Sequence, residues 1–326
     1  MTDILNLATA NLISPIILSF ALGLFAALAR SDLTIPEAVA KGMSIYLLFA
    51  IGFKGGVSIA AHGIDATLIS ALLAGIVLSF SLPFIAFALL RLITRLNATD
   101  AAAVAAHYGS ISIVTFVAGT SVLEGAGIMA EGYLVAVAAA MEAPAILSAL
   151  WLVAHGGGEG GMKPGLLREI LLNGSIVLLV GAFLIGGVTG QDGFDKIAAF
   201  IDSPFQGVLC LFLLDMGLVA GRGLRQAKGV VTLNMVAFGI TMPLIGSVIG
   251  LALGLLIGLS QGGIVLLMIL AASASYIAVP AAMRVALPQA NPAVYLTLSL
   301  GVTFPFNLTL GIPIYMALAA TAAGGA

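Results

Sequence analysis

The sequence predicts an all-α polytopic membrane protein. Ten transmembrane helices form two inverted five-helix repeats, with helices 4 and 9 broken and crossing at the midplane. Three observations carry this expectation: an apolar composition, ten apolar segments, and short motifs that recur in order in the two halves.

Of 326 residues, 61% are hydrophobic and only 8% charged, and mean hydropathy is +1.20. Soluble domains carry roughly 25% charged residues. Too little polar surface remains to face water, so the chain belongs in a bilayer. There the backbone must satisfy its own hydrogen bonds, which leaves helices or a closed barrel. Apolar runs of about 20 residues suit helices spanning ~30 Å of hydrocarbon, whereas barrel strands are shorter and alternate. The 40 glycines fit close helix packing. A formal net charge of −2 says little about partners, but the lack of a basic arm or RNA-binding pattern argues against a nucleic-acid role. The single Cys210 excludes an intrachain disulfide and reads as a buried, inert thiol. The first apolar run follows Asp3 rather than a basic stretch and continues to Ala29, unlike a cleavable signal peptide.

The segments lie at roughly 11–29, 37–59, 66–94, 99–119, 130–154, 166–190, 204–221, 229–258, 262–284 and 292–319. A Gly-rich stretch at 156–165 reads as a flexible cytoplasmic linker. It separates a first repeat, 1–155, from a second, 166–326. Ser81-Leu82-Pro83 matches Thr241-Met242-Pro243, and Tyr133-Leu134 matches Tyr295-Leu296. Pro144 and Pro305 follow at nearly equal distances. Ser110-Ile111-Ser112 matches Ser273-Ala274-Ser275 in the fourth segment of each half. Four matches in order make an internal repeat.

Five helices per half is odd, so the second repeat enters from the opposite side. Charge placement agrees. With both termini outside, cytoplasmic ends receive Arg30, Lys41, Arg91, Arg95, Lys163, Arg168, Arg222, Arg225, Lys228 and Arg284. Lys54 and Lys196 alone fall outside. That asymmetry follows the positive-inside rule. External connections are expected to collect Asp65, Glu124, Glu131, Asp192, Asp195 and Asp202.

A small-residue interruption at matching places in two halves marks a carrier's binding site. Half-helix starts expose N–H groups that favour an anion, and half-helix ends expose carbonyls that favour a cation. Between two such breaks an anion would meet the hydroxyls of Ser110, Ser112, Ser273 and Ser275. Gly109 would tolerate unusual dihedrals at the first break. The competing reading is that these serines are small residues for close helix packing.

Glu142 and Asp215 are the acidic residues deepest in apolar segments, where carboxylates are costly and functional by default. Glu142 precedes Ala143-Pro144, and a proline frees carbonyls beside it. Sodium or a proton would suit that site, and a structural hydrogen bond is the alternative. Asp215 is expected to pair with Lys54 or to take part in coupling. Asn307, with Thr303 and Thr309 beside Pro305, offers uncharged oxygens for sodium or ordinary helix glue. Gln206 and Asn234 are weaker versions of that pattern. His107 reads as a histidine bonded to a neighbouring helix, with gating as the alternative. No metal-ligand spacing and no phosphate-binding Gly-Lys-Ser/Thr ending is present, so an ion gradient rather than ATP is the expected energy source. No nucleophile–base set points to an enzyme. Besides sodium, no metal or cofactor is expected.

These residues resemble a family. His107-Tyr108-Gly109-Ser110-Ile111-Ser112-Ile113-Val114-Thr115-Phe116 is similar to the fourth-helix signature of the sodium-dependent bicarbonate transporter superfamily. So are Glu131-Gly132-Tyr133 and Met141-Glu142-Ala143-Pro144-Ala145-Ile146. Ala272-Ser273-Ala274-Ser275-Tyr276-Ile277-Ala278-Val279-Pro280 and Thr303-Phe304-Pro305-Phe306-Asn307 continue the likeness along nearly the whole chain. The resemblance implies bicarbonate–sodium symport, a homotrimer in the bacterial inner membrane, and elevator motion of a core domain against a gate domain. It implies substrate contacts at Gly109, Ser110, Ser112, Ala272, Ser273 and Ser275, with Thr115 among the matching residues. Sodium ligands are then expected among Thr115, Glu142, Thr303, Asn307 and Asp215. The first, second, sixth and seventh segments become the scaffold. Another small anion on the same fold, or sodium/proton antiport, are the rival functions. Cyanobacterial members are inhibited from the cytoplasm by a PII-like trimer that senses adenine nucleotides. Here residues 155–165 are a short Gly-rich connection where those members carry a longer polar loop, which argues against such a partner.

Overall fold

The computed structural model describes residues 13–142, 144–155, 168, 172, 174–226, 231–277, 279, 280, 282, 283 and 287–323. The linker at 156–165, with Lys163, and also Ala143, Lys228 and Arg284 lie outside the described residues. Among the described residues all regular structure is helical.

The first part of the chain forms α1 (Pro15–Leu28), α2 (Glu37–His62), α3 (Ala66–Ile93), α4 (Ala98–Gly109), α5 (Ile113–Gly125), α6 (Leu134–Ala140) and α7 (Pro144–His155). The second forms α8 (Gly174–Ile201), α9 (Phe205–Gln226), α10 (Leu233–Ile257) and α11 (Gln261–Ala272). A last long segment runs through α12 (Pro292–Leu296), π1 (Thr297–Thr303), α13 (Phe304–Phe306), π2 (Asn307–Gly311) and α14 (Ile312–Ala323). Eight helical spans among the described residues are long and apolar enough to cross a membrane; α1 and α11 are shorter apolar helices.

Local chemistry sets the ends. Asp65 accepts from the Leu68 N–H at 2.7 Å, and Asn97 from the Asp100 N–H at 2.8 Å, each serving an orphan donor of a first turn. Gly258 closes α10 at φ 79°, a left-handed conformation open to glycine. Leu73, Val77 and Phe80 on α3, Leu184 and Val188 on α8, and Leu255 and Leu256 on α10 are all exposed. Such an exterior is that of a multi-pass membrane protein.

Two helix pairs are zipped by glycines. A Cβ at Gly23 would lie 2.0 Å from the Leu214 carbonyl oxygen, and one at Gly217 2.2 Å from that of Phe20, so α1 and α9 touch backbone to backbone. Gly56 and Gly186 do the same for α2 and α8, at 1.9 and 2.1 Å from Phe183 and Phe53 carbonyl oxygens. Small residues give such approach its dispersion energy. α2 also touches α9, which joins the pairs. The remaining helices form a second group. α3 packs on α4, α7 and α10, and α11 packs on α10, α5 and α14.

Several expectations change. The sixth segment, expected at 166–190, continues helically to Ile201 through a kink at Gly190. Asp192 and Asp195 are therefore helical rather than in a connection. The ninth segment, expected to reach 284, stops its long helix at Ala272. Cys210 is only partly buried. Lys54 pairs with Asp202, not Asp215, and lies 5.2 Å from the Phe205 ring centre. The reason is helical rise: Asp215 stands 13 residues beyond Asp202, or ~20 Å at 1.5 Å per residue, past the reach of a lysine already at the α8–α9 turn.

Candidate binding site at two helix breaks

α4 is a run of small, fully buried residues from Ala101 to Ala106 that lets α3 and α7 come close. It stops at Gly109. Gly109 is needed for space rather than for its dihedrals: a Cβ there would meet Pro83 Cγ at 2.3 Å and the Ser79 carbonyl oxygen at 2.7 Å. Ser110 is extended, and Ser112 starts α5 by accepting from the Thr115 N–H at 3.2 Å. The second break follows the same plan. α11 stops at Ala272, Ser273 is extended, and Ser275 accepts from the Val279 N–H at 3.4 Å.

The two unwound stretches bind each other. The Ser112 N–H donates to Ser273 Oγ at 2.9 Å, and the Ser275 N–H donates to the His107 carbonyl oxygen at 2.7 Å. Each break thus satisfies groups that the other has freed, which a buried backbone requires. All four serines are buried.

The hydroxyls divide into two kinds. Ser110 Oγ donates to Glu142 Oε2 at 2.6 Å, and Ser273 Oγ donates to the Leu270 carbonyl oxygen at 3.0 Å. Their protons are committed. Ser112 Oγ accepts from both the N–H and Oγ1 of Thr115, so its lone pairs are filled and its own proton must point elsewhere. Ser112 and Ser275 line a cavity of about 20 Å³ together with Glu142 and Tyr276. That is room for about one water. Leu48 of α2 and Ile176 and Leu179 of α8 close its other side. The cavity therefore lies on the seam between the two helix groups.

Two larger cavities lie on the same seam. One of about 310 Å³ is lined by Lys54, Phe205, Thr120, Glu124 and Glu131. Another of about 430 Å³ lies between α9 and the start of the last segment, with Arg222, Thr297 and Tyr276 on its wall.

The structure gathers some of the sodium candidates and disperses others. Glu142 and Thr115 stand at the breaks. The α6–α7 interruption that presents Glu142 is stitched by Ser79, whose hydroxyl donates to the Met141 carbonyl oxygen and accepts from the Ala145 N–H. Thr303 donates to the Gly239 carbonyl oxygen at 2.6 Å and accepts from the Tyr108 hydroxyl at 2.6 Å. Asn307 turns its amide nitrogen to the Ala272 carbonyl oxygen at 2.9 Å, while its oxygen accepts from Tyr315 at 2.7 Å. It presents a donor to the break, so helix glue is what it does here. Thr309 donates to the Pro305 carbonyl oxygen, serving a group in the π-bulged segment. Asp215 is buried on α9 and is not among the residues lining the cavity at the breaks. His107 bonds the Ala103 carbonyl oxygen of its own helix at 2.6 Å, not a neighbouring helix, and stacks on Tyr295.

Sequence reasoning passed over Ser79 and Tyr276. Ser79 looks like one more small residue on a membrane helix. Tyr276 directly follows the second Ser-x-Ser, whereas Tyr108 precedes the first, so the repeat gave it no counterpart.

None of the curated proteins compared matches the chain. The model of the Na+-dependent bicarbonate transporter superfamily matches residues 15–320, nearly the entire sequence. A match to a family of transporters indicates a transporter rather than an enzyme. The chain belongs to the Na+-dependent bicarbonate transporter superfamily.

Proposed function

We propose that this protein is a secondary-active symporter that carries bicarbonate with sodium, with the anion held between the two helix breaks. The observation that carries the reading is the cavity where Ser112 and Ser275 meet beside Glu142. Hydroxyl protons and the start of α5 favour an anion there, and the nearby carboxylate favours a cation. Sodium at Glu142 and Thr115 supplies the opposite charge beside the anion. Moving both together lowers the cost of taking either through a low-dielectric region. Among the remaining sodium candidates, Thr303, Asn307 and Asp215 take second place because their placement or partners remove them from the cavity.

The same reading gives ten spans, with α1 and α11 crossing as part of longer segments, and two inverted repeats meeting at the linker. Its support is a swap in the helix pairing: the first segment pairs with the seventh and the second with the sixth. Those four form the gate or scaffold domain, and the rest form the core that moves as an elevator. Cavities along the seam support this reading, since gaps leave a sliding surface fewer contacts to break. A cavity of about 20 Å³ is too small for a four-heavy-atom anion, so loading requires the seam to open. The orientation has both termini outside a bacterial inner membrane, the assembly is a homotrimer, and sodium is the coupling ion.

The test is uptake of labelled bicarbonate into proteoliposomes with and without an inward sodium gradient. Sodium-dependent accumulation supports the reading. Folded protein that takes up no bicarbonate under either condition overturns it and moves the search to other small anions. Sodium flux without bicarbonate would instead support antiport.

A further inference from the structure

We infer that Tyr276 is a substrate-binding residue, whose phenol donates to the anion at the breaks and whose ring separates that site from the wider cavity beside Arg222. The inference rests on the symport reading and adds to it a residue that neither the repeat nor the serine pattern assigned.

The Tyr276 hydroxyl is sealed from solvent and has no hydrogen-bond partner among the described residues. Ser112 is the polar group it interacts with, short of a hydrogen bond of normal geometry, and Thr115 already fills the Ser112 lone pairs, so the phenol proton has no acceptor there. Buried polar groups are nearly always paired, and an exception in a native fold needs an explanation. Phenylalanine would fill the same space without that cost. Tyr276 lines the small cavity that Ser112, Ser275 and Glu142 also line. A ligand entering there is the partner the hydroxyl lacks.

The donors are complementary to a trigonal oxyanion. Ser112 has both lone pairs filled by Thr115, so its proton is available. Ser275 accepts from the Val279 N–H, and no acceptor holds its proton among the hydrogen bonds found. Tyr276 supplies a third neutral O–H. Three O–H donors around one cavity fit a planar anion with three oxygens, each able to accept. A neutral donor set also leaves the anion's charge for sodium to balance, which ties anion binding to the cation.

Among the described residues, Tyr276 alone is on the walls of both the small cavity and the cavity of about 430 Å³ that contains Arg222. Its ring stands edge-on to Phe304 at 5.2 Å, and Phe304 stands edge-on to Phe20 of α1 at 5.3 Å. The ring is thus braced against the other helix group, so a seam that opens moves the partition as well.

The experiment is Tyr276→Phe, assayed by concentration dependence of sodium-driven uptake of labelled bicarbonate in proteoliposomes, with thermal stability measured in parallel. The variant keeps the ring, the Phe304 contact and the partition. The expected result is a KM for bicarbonate raised about tenfold or more, the loss of one hydrogen bond to a charged ligand. Thermal stability stays equal or rises, because an unpaired hydroxyl has left the interior. A KM within twofold of wild type overturns the assignment. A lowered maximal rate and stability with unchanged KM also overturns it, since that is the pattern of a merely structural residue. Failure of the wild type to take up bicarbonate with sodium is a separate result. It overturns the symport reading first, and this assignment with it.

Discussion

Gly246→Ala tests the packing that holds the second break in place. Gly246 lies mid-way along α10, and a Cβ added there would stand 2.1 Å from the Ala271 carbonyl oxygen. Ordinary contact begins near 3.4 Å, so α10 and α11 must separate by about 1.3 Å. The obstacle is backbone, one residue before α11 ends, and no side-chain rotamer can relieve it. Overpacking of this kind costs ~1–3 kcal/mol and sometimes more. The movement falls on Ala272 and Ser273, whose groups hold Asn307 and the Ser112 N–H. The expected outcome is a loss of several degrees in thermal midpoint and a weaker KM for substrate. Gly42→Ala is the control. Gly42 is helical and exposed, with nothing within 4 Å of an added Cβ, so the change is neutral or stabilising by up to ~1 kcal/mol. Detergent-solubilised protein melted in parallel, followed by uptake in proteoliposomes, measures both. If Gly246→Ala melts and transports like Gly42→Ala, the reasoning from close approach is wrong.

Three further outcomes are expected. Asn307→Ala leaves the Ala272 carbonyl and the Tyr315 hydroxyl without their partner in the interior, which costs about 1–3 kcal/mol and is read as a lower melting midpoint. Glu142→Gln keeps an acceptor for Ser110 but removes the charge; half-saturating sodium rises at least tenfold, because even ~1.4 kcal/mol of lost attraction is a factor of ten. An unchanged sodium dependence would remove Glu142 from the cation site. Lys54→Ala breaks an ion pair whose side chains are 31% and 54% exposed, so stability falls by no more than ~1 kcal/mol and the effect shrinks in high salt.

Membrane residence, helical class and the places of the two breaks were legible in the chain. Each depends on short-range chemistry. A composition with 8% charge cannot cover a water-facing surface, and a Ser-x-Ser run repeated at the same place in two apolar segments marks where both helices break, whereas the unmatched Ser79-Phe80-Ser81 stays helical within α3. The serines were also found as a matched pair, and the structure joins them through Ser112 and Ser273. What each hydroxyl does was not legible. Ser110 and Ser112 are alike in sequence, yet one donates to Glu142 and the other keeps its proton for the cavity. That difference is made by a carboxylate 32 residues away and by which side of the unwound stretch meets α7.

The expected ion pair failed for the same reason. Lys54 was matched with Asp215 from the correspondence of segments, but helix rise and the α2–α8 pairing bring it to Asp202. Gly109 was read as a residue needed for its dihedrals, while only the approach of Pro83 reveals that it is needed for its missing Cβ. Tyr276 stood within a quoted motif without a role until tertiary structure enclosed its hydroxyl. The sequence by itself determined that the chain is a helical membrane protein interrupted at two matching places, because hydropathy and helix propensity act within a few residues. Only the tertiary structure decided which donors are free, which glycines are contacts and which cavity they share, because those depend on groups far apart in the chain meeting within about 3 Å.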